Sequence, residues 1–347
     1  MGTRFWQIVS LVFSWLKREI YWAILPALLI GALWSSGAYF HAFDASPAVA
    51  VIAVFALWML LLLSVFIRRA ALAVLIVELA ALAAFLRIAP QQRFRDTAWQ
   101  KPWRKTLEVK KLANGRYELN NVRDFRYRSE HDYDVAYRTV IVDPEKISSI
   151  DAAFSHWDNM EEVAHSMLGL NFADGTTVVI SLETRLPEGA EQNALDGFYR
   201  RYALAMIAGT PEDLYGLRVD HRGETLYIYR LRADREYMRK LVLSLFARAE
   251  ELQKHPQYYN SLFRNCTTGL LPMLPGVVEN KLSGDLRLIL NGMASNLLFE
   301  RKLIVCREDE SFGSIRARSL VPGVCRGKDA PPARYEGESE ARWIRAR

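Results

Sequence analysis

Apolar residues dominate the chain from Tyr21 to Ile88, and charged residues crowd it after Pro90. Three apolar runs can be drawn in the first part, at about 20–40, 47–67 and 70–86. Each is close to the ~20 residues a helix needs to cross the hydrocarbon core of a bilayer. The pattern therefore predicts a membrane anchor over 20–88. Upstream, the shorter apolar and aromatic stretch at 5–16 is closed by Lys17 and Arg18. It reads as an interfacial helix, within a cytoplasmic or interfacial N-terminus at 1–19. No small-residue cleavage site follows it, which argues against a cleaved signal peptide.

Charge bears on orientation. Arg4, Lys17 and Arg18 precede the first run, Arg68 and Arg69 separate the second from the third, and the loop at 41–46 has no Lys or Arg. With three spans, this puts the N-terminus in the cytoplasm and the large domain outside. Arg93, Arg95, Lys101, Arg104 and Lys105 follow the third run and bring the count close to a tie. Long domains cross largely regardless of such charges. The tight connection at Arg68 and Arg69 also permits a re-entrant pair. Glu78, inside the third run, is either a helix-packing residue or a functional intramembrane acid.

After a basic linker at 89–106 with Trp99 and Trp103, suited to a membrane surface, the periodicity changes. Residues 107–119 read as strand, turn at Asn114–Gly115, and strand. Residues 137–142 are a strand candidate, and 147–154 either a strand or a short helix. The clearest hairpin alternates over 164–172, turns at 173–175 and alternates again over 176–185. Residues 195–208 look helical, and 225–231 look like a strand. Residues 234–254 form an amphipathic helix with Leu241, Leu245, Ala249 and Leu252 on one face, capped by Asp234 and ended by Pro256. Strands and helices without regular alternation predict an α+β domain over 107–300, with a partly irregular extension at 301–347.

The whole-chain averages conceal this division. The 347 residues are 51% hydrophobic and 24% charged, like an ordinary globular protein. The two parts belong in different solvents, which excludes a fully soluble or disordered chain. Lys and Arg exceed Asp and Glu by 6, a balance that suits anionic lipid head groups. No zinc-finger spacing or RNA-recognition signature accompanies it, so a nucleic-acid partner is not expected. Cys266, Cys306 and Cys325 form no Cys-x-x-Cys, so neither a metal nor another cofactor is expected. Their arithmetic is one pair and one odd thiol.

Two places carry chemistry. Cys266 precedes a short helical candidate at 267–274, and a thiolate there would be stabilised by the helix N-terminus. Such a nucleophile needs an imidazole. Of six histidines, His165 alone lies inside a strongly alternating strand. Leu168, Leu170 and Phe172 take one face of that strand; His165, Met167 and Asn171 take the other. Pairing Phe172 with Thr176 matches this face to Val178, Ile180 and Leu182, with Gly175 left-handed in the turn. The same register sets His165 opposite Glu183, which is then placed to fix the imidazole tautomer. The bland alternatives are an inert buried cysteine and a solvated cross-strand pair.

Several motifs now combine: NVRDFRYR at 121–128, AHS at 164–166, SLETR at 181–185, FYRRY at 198–202, LR at 217–218, RGE at 222–224, YN at 259–260 and NCTT at 265–268. Together, in this order, they resemble the Lnb N-terminal periplasmic domain family of Gram-negative bacteria, over about 120–275. The resemblance implies a circularly permuted papain-like fold (NlpC-like or LRAT-like) behind transmembrane helices in the bacterial inner membrane. It implies Cys266 as nucleophile and His165 as base. It also implies an acyltransferase or acyl hydrolase that acts through an acyl-thioester, with membrane lipids or lipoprotein N-termini as partners. Glu183 as orienter rests on register alone. Asn265 or Asn260 would hold the oxyanion, and Arg218 and Arg222 a phosphate or carboxylate, unless they are simply solvated. The alternatives are an amidase or peptidase on cell-wall peptides, or a non-catalytic envelope protein that binds lipid or a partner. Cys306 and Cys325 lie outside the family-like core and are expected to form a disulfide.

Overall fold

The anchor emerges as helices because its runs lack strand punctuation and, in a bilayer, only internally bonded backbone is tolerated. In the computed structural model, residues 2–43, 46–88, 93–157, 160–261, 264–274, 285–288 and 290–322 are described. Helices α1 (Gly2–His41), α2 (Pro47–Phe66) and α3 (Arg68–Arg87) contain three segments long and apolar enough to span, Trp22–His41, Pro47–Phe66 and Arg69–Arg87. The backbone of 5–16 is continuous with α1, not a separate element. Ser46 caps α2, accepting from the Val49 N–H, and Pro47 opens it. A single extended residue, Ile67, joins α2 to α3. Small and branched side chains, among them Ala32, Leu57, Leu61, Ala71 and Val74, fill the bundle interior. Glu78 packs against Gly31, where a β-carbon would overlap the carboxyl.

Contacts divide the chain into this helical unit, Met1–Arg95 with Asn193–Arg201, and an α+β unit, Asp96–Gln192 with Tyr202–Arg347. Helix α4 (Ala194–Phe198) thus belongs with the anchor. Asp196 bonds His41 at 2.7 Å, the Tyr199 hydroxyl donates to the Trp34 carbonyl at 3.0 Å, and Arg200 donates to the Phe85 carbonyl at 3.1 Å. The C-terminal ends of α1 and α3 therefore lie on one side of the bundle, with this segment.

The second unit is a mixed α+β domain. Its strands are β1 (Glu108–Lys111), β2 (Tyr117–Arg123), a small hairpin of β3 (Arg126–Tyr127) and β4 (Tyr133–Asp134), β5 (Tyr137–Val142), β6 (Ile147–His156), β7 (Ala164–Phe172), β8 (Thr177–Arg185), β9 (Ala203–Gly209) and β10 (Thr225–Arg230). The main sheet runs β1-β2-β9-β8-β7-β6-β10, with β5 also on β2. The expected hairpin register holds: Leu168 pairs with Ile180 and Leu170 with Val178, and Gly175 turns at φ 85°. Helix α6 (Arg235–Lys254) is the expected amphipathic helix, with Asp234 accepting from the Tyr237 N–H at 2.7 Å. Together with α7 (Ala294–Glu300) and α8 (Phe312–Arg318), it covers one sheet face. Helix α5 (Pro211–Gly216) and the π turn Leu217–His221 cover the other.

Four expectations change. Residues 195–208 are not one helix: after α4 the chain becomes β9, whose seven residues are all buried. A strand covered on both faces loses its alternation, and Ala, Leu and Met then imitate a helix. Residues 267–274 hold a turn and a single 3-10 turn (Leu271–Met273) instead of an α-helix. The linker is not wholly a membrane-surface segment, because from Asp96 it belongs to the α+β unit and Trp99 bridges to Pro187. The domain also continues past residue 300: Leu231 bridges to Ile304, and Ile315 is fully buried.

Candidate active site

The site is best understood from β7, whose residues alternate between two covered faces. Ala164, Leu168, Leu170 and Phe172 enter the core beneath α6, whereas Met167 enters the core beneath α5. Ser166 shares the first face, and His165 shares the second.

Cys266 approaches the first face. It is buried, with its thiol 3.8 Å from the Ala164 carbonyl. Asn291 bridges the same two residues. Its Oδ1 accepts from the Ala164 N–H at 2.9 Å, and its Nδ2 donates to the Cys266 sulfur at 3.1 Å. Thr267 Oγ1 and Ser166 Oγ lie 2.5 Å apart. Both border a cavity of about 270 Å³, walled mainly by apolar side chains such as Leu168, Leu270, Leu271, Ala294 and Leu298. Asn265 organises the turn: its Oδ1 accepts from the N–H groups of Thr267 and Thr268 at 2.9 and 2.8 Å. Its Nδ2 donates to the Ser261 carbonyl at 3.2 Å. Asn265 thus acts as the cap of this turn. At Gly269 a β-carbon would strike the Asn265 carbonyl and Leu182, so the close turn requires glycine. Asn260 closes the preceding loop through paired backbone bonds with Arg264.

His165 points into a buried polar network on the other face. Its Nε2 is 2.6 Å from Ser181 Oγ, which donates to Glu183 Oε1 at 3.0 Å. Because the serine proton goes to the carboxylate, Nε2 carries the imidazole hydrogen. The direct His165–Glu183 separation is 3.7 Å, so Glu183 acts on the ring through Ser181. Trp103 Nε1 donates to Glu183 Oε2 at 2.5 Å. Arg218 lies 3.8 Å from Glu183 and donates to Glu224 at 3.0 Å, and Ser155 also donates to Glu224. Arg222 pairs with Glu130 at 2.9 Å. These arginines are matched by carboxylates of their own domain. Deeper still, Arg123 and Asp213 form a buried ion pair at 2.5 Å, and the Phe125 N–H adds a bond to Asp213.

The electrostatics follow from burial. Desolvation, reinforced by Arg218, pushes the His165 imidazole down to about 3, so it is neutral at neutral pH. Burial alone would raise Glu183, but its neighbours His165, Arg218 and Arg123 outweigh it and hold the carboxyl well below its ordinary range. With His165 neutral, the arginines carry that role.

The structure thus joins His165 to Glu183 and Cys266 to Asn291. No hydrogen bond joins His165 to Cys266: His165 faces Ser181, whereas the turn that carries Cys266 packs through Thr267 and Gly269 against Ser166 and Leu182 of the other face. Ser181 was within reach of the sequence pattern, since it shares a face with Glu183. Trp103 and Asn291 lie outside any periodic segment and left no such signal. Cys306 is 3.6 Å from an Arg232 nitrogen. Cys325, its expected partner, lies outside the described residues.

Residues 133–292 match the family described as Lnb N-terminal periplasmic domain. Over that span the chain is similar to the Lnb-type family. The match takes in both faces of β7, and Asn291 falls at its end. No curated protein and no solved structure matches the chain. The molecule is thus a membrane protein with three candidate spans and an Lnb-type domain of a periplasmic family.

Proposed function

We propose that this chain is an inner-membrane, periplasm-facing thiol enzyme that transfers or hydrolyses acyl groups of lipids or lipoproteins at Cys266. The observation that carries the reading is the apolar cavity of about 270 Å³ beside the Thr267–Ser166 pair, one residue from the thiol. Pockets of this character suit an acyl chain better than a peptide. In the proposed reaction the sulfur attacks an ester carbonyl carbon. The ester C–O bond breaks, and the alkoxide leaves as an alcohol with the proton the thiol released. An amine or water then opens the thioester and returns a proton to sulfur. Three spans, with α1 and α3 ending on the side of segment 193–201, support a cytoplasmic N-terminus and a periplasmic domain.

A second reading is favoured by the absence, among the described residues, of an imidazole bonded to the sulfur: a non-catalytic envelope protein that holds lipid in the cavity. Labelling of the full chain in membranes with an acyl-ester activity probe separates the two. The enzyme reading expects labelling that Cys266→Ala abolishes; equal labelling of both proteins sinks it. A cytoplasm-only reporter fused after Arg347 should stay silent, and a signal from it would overturn the orientation.

A further inference from the structure

Asn291 makes two bonds that serve different ends. The acceptor bond from Ala164 N–H to Oδ1 ties down the first residue of β7. The donor bond from Nδ2 ends on the sulfur of Cys266, a weak acceptor when protonated and a strong one as a thiolate. The amide is itself buried, so water does not compete for either bond. We propose that Asn291 is the residue that activates Cys266, supplying through its Nδ2–H the thiolate stabilisation that His165, on the opposite face, does not. This rests on the reading of Cys266 as nucleophile, but its test is independent of any acyl substrate.

The surroundings of the sulfur leave the assignment sharp. From β7 it meets the Ala164 carbonyl, and from its own turn Thr267 Oγ1 at 3.9 Å. The preceding loop brings Tyr259, a titratable group whose hydroxyl burial, with Cys266 nearby, keeps protonated and so uncharged. Asn265 is committed to the turn, and no helix begins at Cys266 to lend its dipole. Among the described side chains, the closest donor on the sulfur is therefore the Asn291 amide, at 3.1 Å against 3.9 Å for the Thr267 hydroxyl.

Asn291→Asp separates the two bonds. An aspartate keeps the oxygen that accepts from Ala164 N–H and replaces the donor with a second acceptor. The probe is iodoacetamide on the full chain in detergent, with the rate at Cys266 followed by peptide mass mapping across a pH series. Loss of one charge-assisted bond is expected to slow alkylation at neutral pH by about tenfold or more. It should also move the half-maximal rate to higher pH. Asn291→Gln, which keeps a donor, should recover part of the rate. If Asn291→Asp alkylates as the natural protein does, Asn291 only ties down β7 and the proposal fails. A Cys266 that resists alkylation at every pH in the natural protein overturns it as well. Failure of acyl labelling with this rate shift intact would instead strike the substrate, leaving the activation in place.

Discussion

On one face of β7, polar atoms are few: the Ser166–Thr267 hydroxyls border an apolar cavity, and Cys266, bonded to Asn291, is the residue next to Thr267. On the other, polar atoms are dense, and His165, Ser181, Glu183, Arg218, Glu224, Arg123 and Asp213 are nearly all buried and bonded to one another. Both faces carry residues of the kinds found in active sites. The difference is in what their bonds leave over. The ionic face satisfies itself, whereas the thiol face ends at a space. A buried, self-satisfied ionic network is weak evidence of catalysis and strong evidence of a specified arrangement.

Breaking the deepest pair should separate the faces most plainly. Asp213→Ala leaves Arg123 buried without its carboxylate, and the loss is expected at about 3–5 kcal/mol in the unfolding midpoint of the full chain in detergent. The same variant should leave the cavity walls intact. A loss below about 1 kcal/mol, the scale of a surface pair, would mean that water reaches the network and that the contrast between the faces is weaker than drawn.

His165→Ala is the next largest. Ser181 and Glu183 would lose one bonded neighbour, at a cost of about 1–3 kcal/mol. Iodoacetamide alkylation of Cys266 should be unchanged, because the ring serves the other face. A fall in that rate to the level of an ordinary inert thiol would reunite the two faces into one Cys–His site.

Acid should attack the ionic face first. Unfolded, His165 takes up a proton near its ordinary 6.5, whereas in the fold it refuses one until about 3. Between those values the unfolded state binds more protons, so stability declines as pH falls through this window. Glu183, held low in the fold, adds a further decline below its ordinary 4.5. His165→Gln should flatten the upper part of the profile and spare the lower. An unfolding profile identical to that of the natural protein would place the acid sensitivity elsewhere.

How much of this was legible depends on whether one face of an element meets something different from the other. The β7–β8 register was readable because Leu168, Leu170, Val178 and Ile180 repeat every second residue around a Gly175 turn. Helix α6 was readable from Leu241, Leu245, Ala249 and Leu252. Strand β9 was not, since both of its faces are buried and its pattern is uniform. The sequence pattern placed His165 opposite the core side of β7. Which side the Cys266 turn packs against is a non-local matter, settled by Gly269 against Leu182 and by Asn291 against Ala164. No local period encodes either contact.

The smallest expected effect tests how isolated the thiol face is. Ser166 and Thr267 satisfy each other at 2.5 Å beside the cavity. Ser166→Ala strands one hydroxyl and should cost about 0.5–1.5 kcal/mol. Adding Thr267→Val removes the stranded partner, so the double variant should lose clearly less than the sum of the two single losses. That non-additivity is the mark of a pair bonded chiefly to each other, next to apolar space, with the Cys266 sulfur farther off at 3.9 Å. Strictly additive losses would mean that each hydroxyl has its own support. The hydroxyls would then be part of a wider network, and the thiol face would be built like the ionic one.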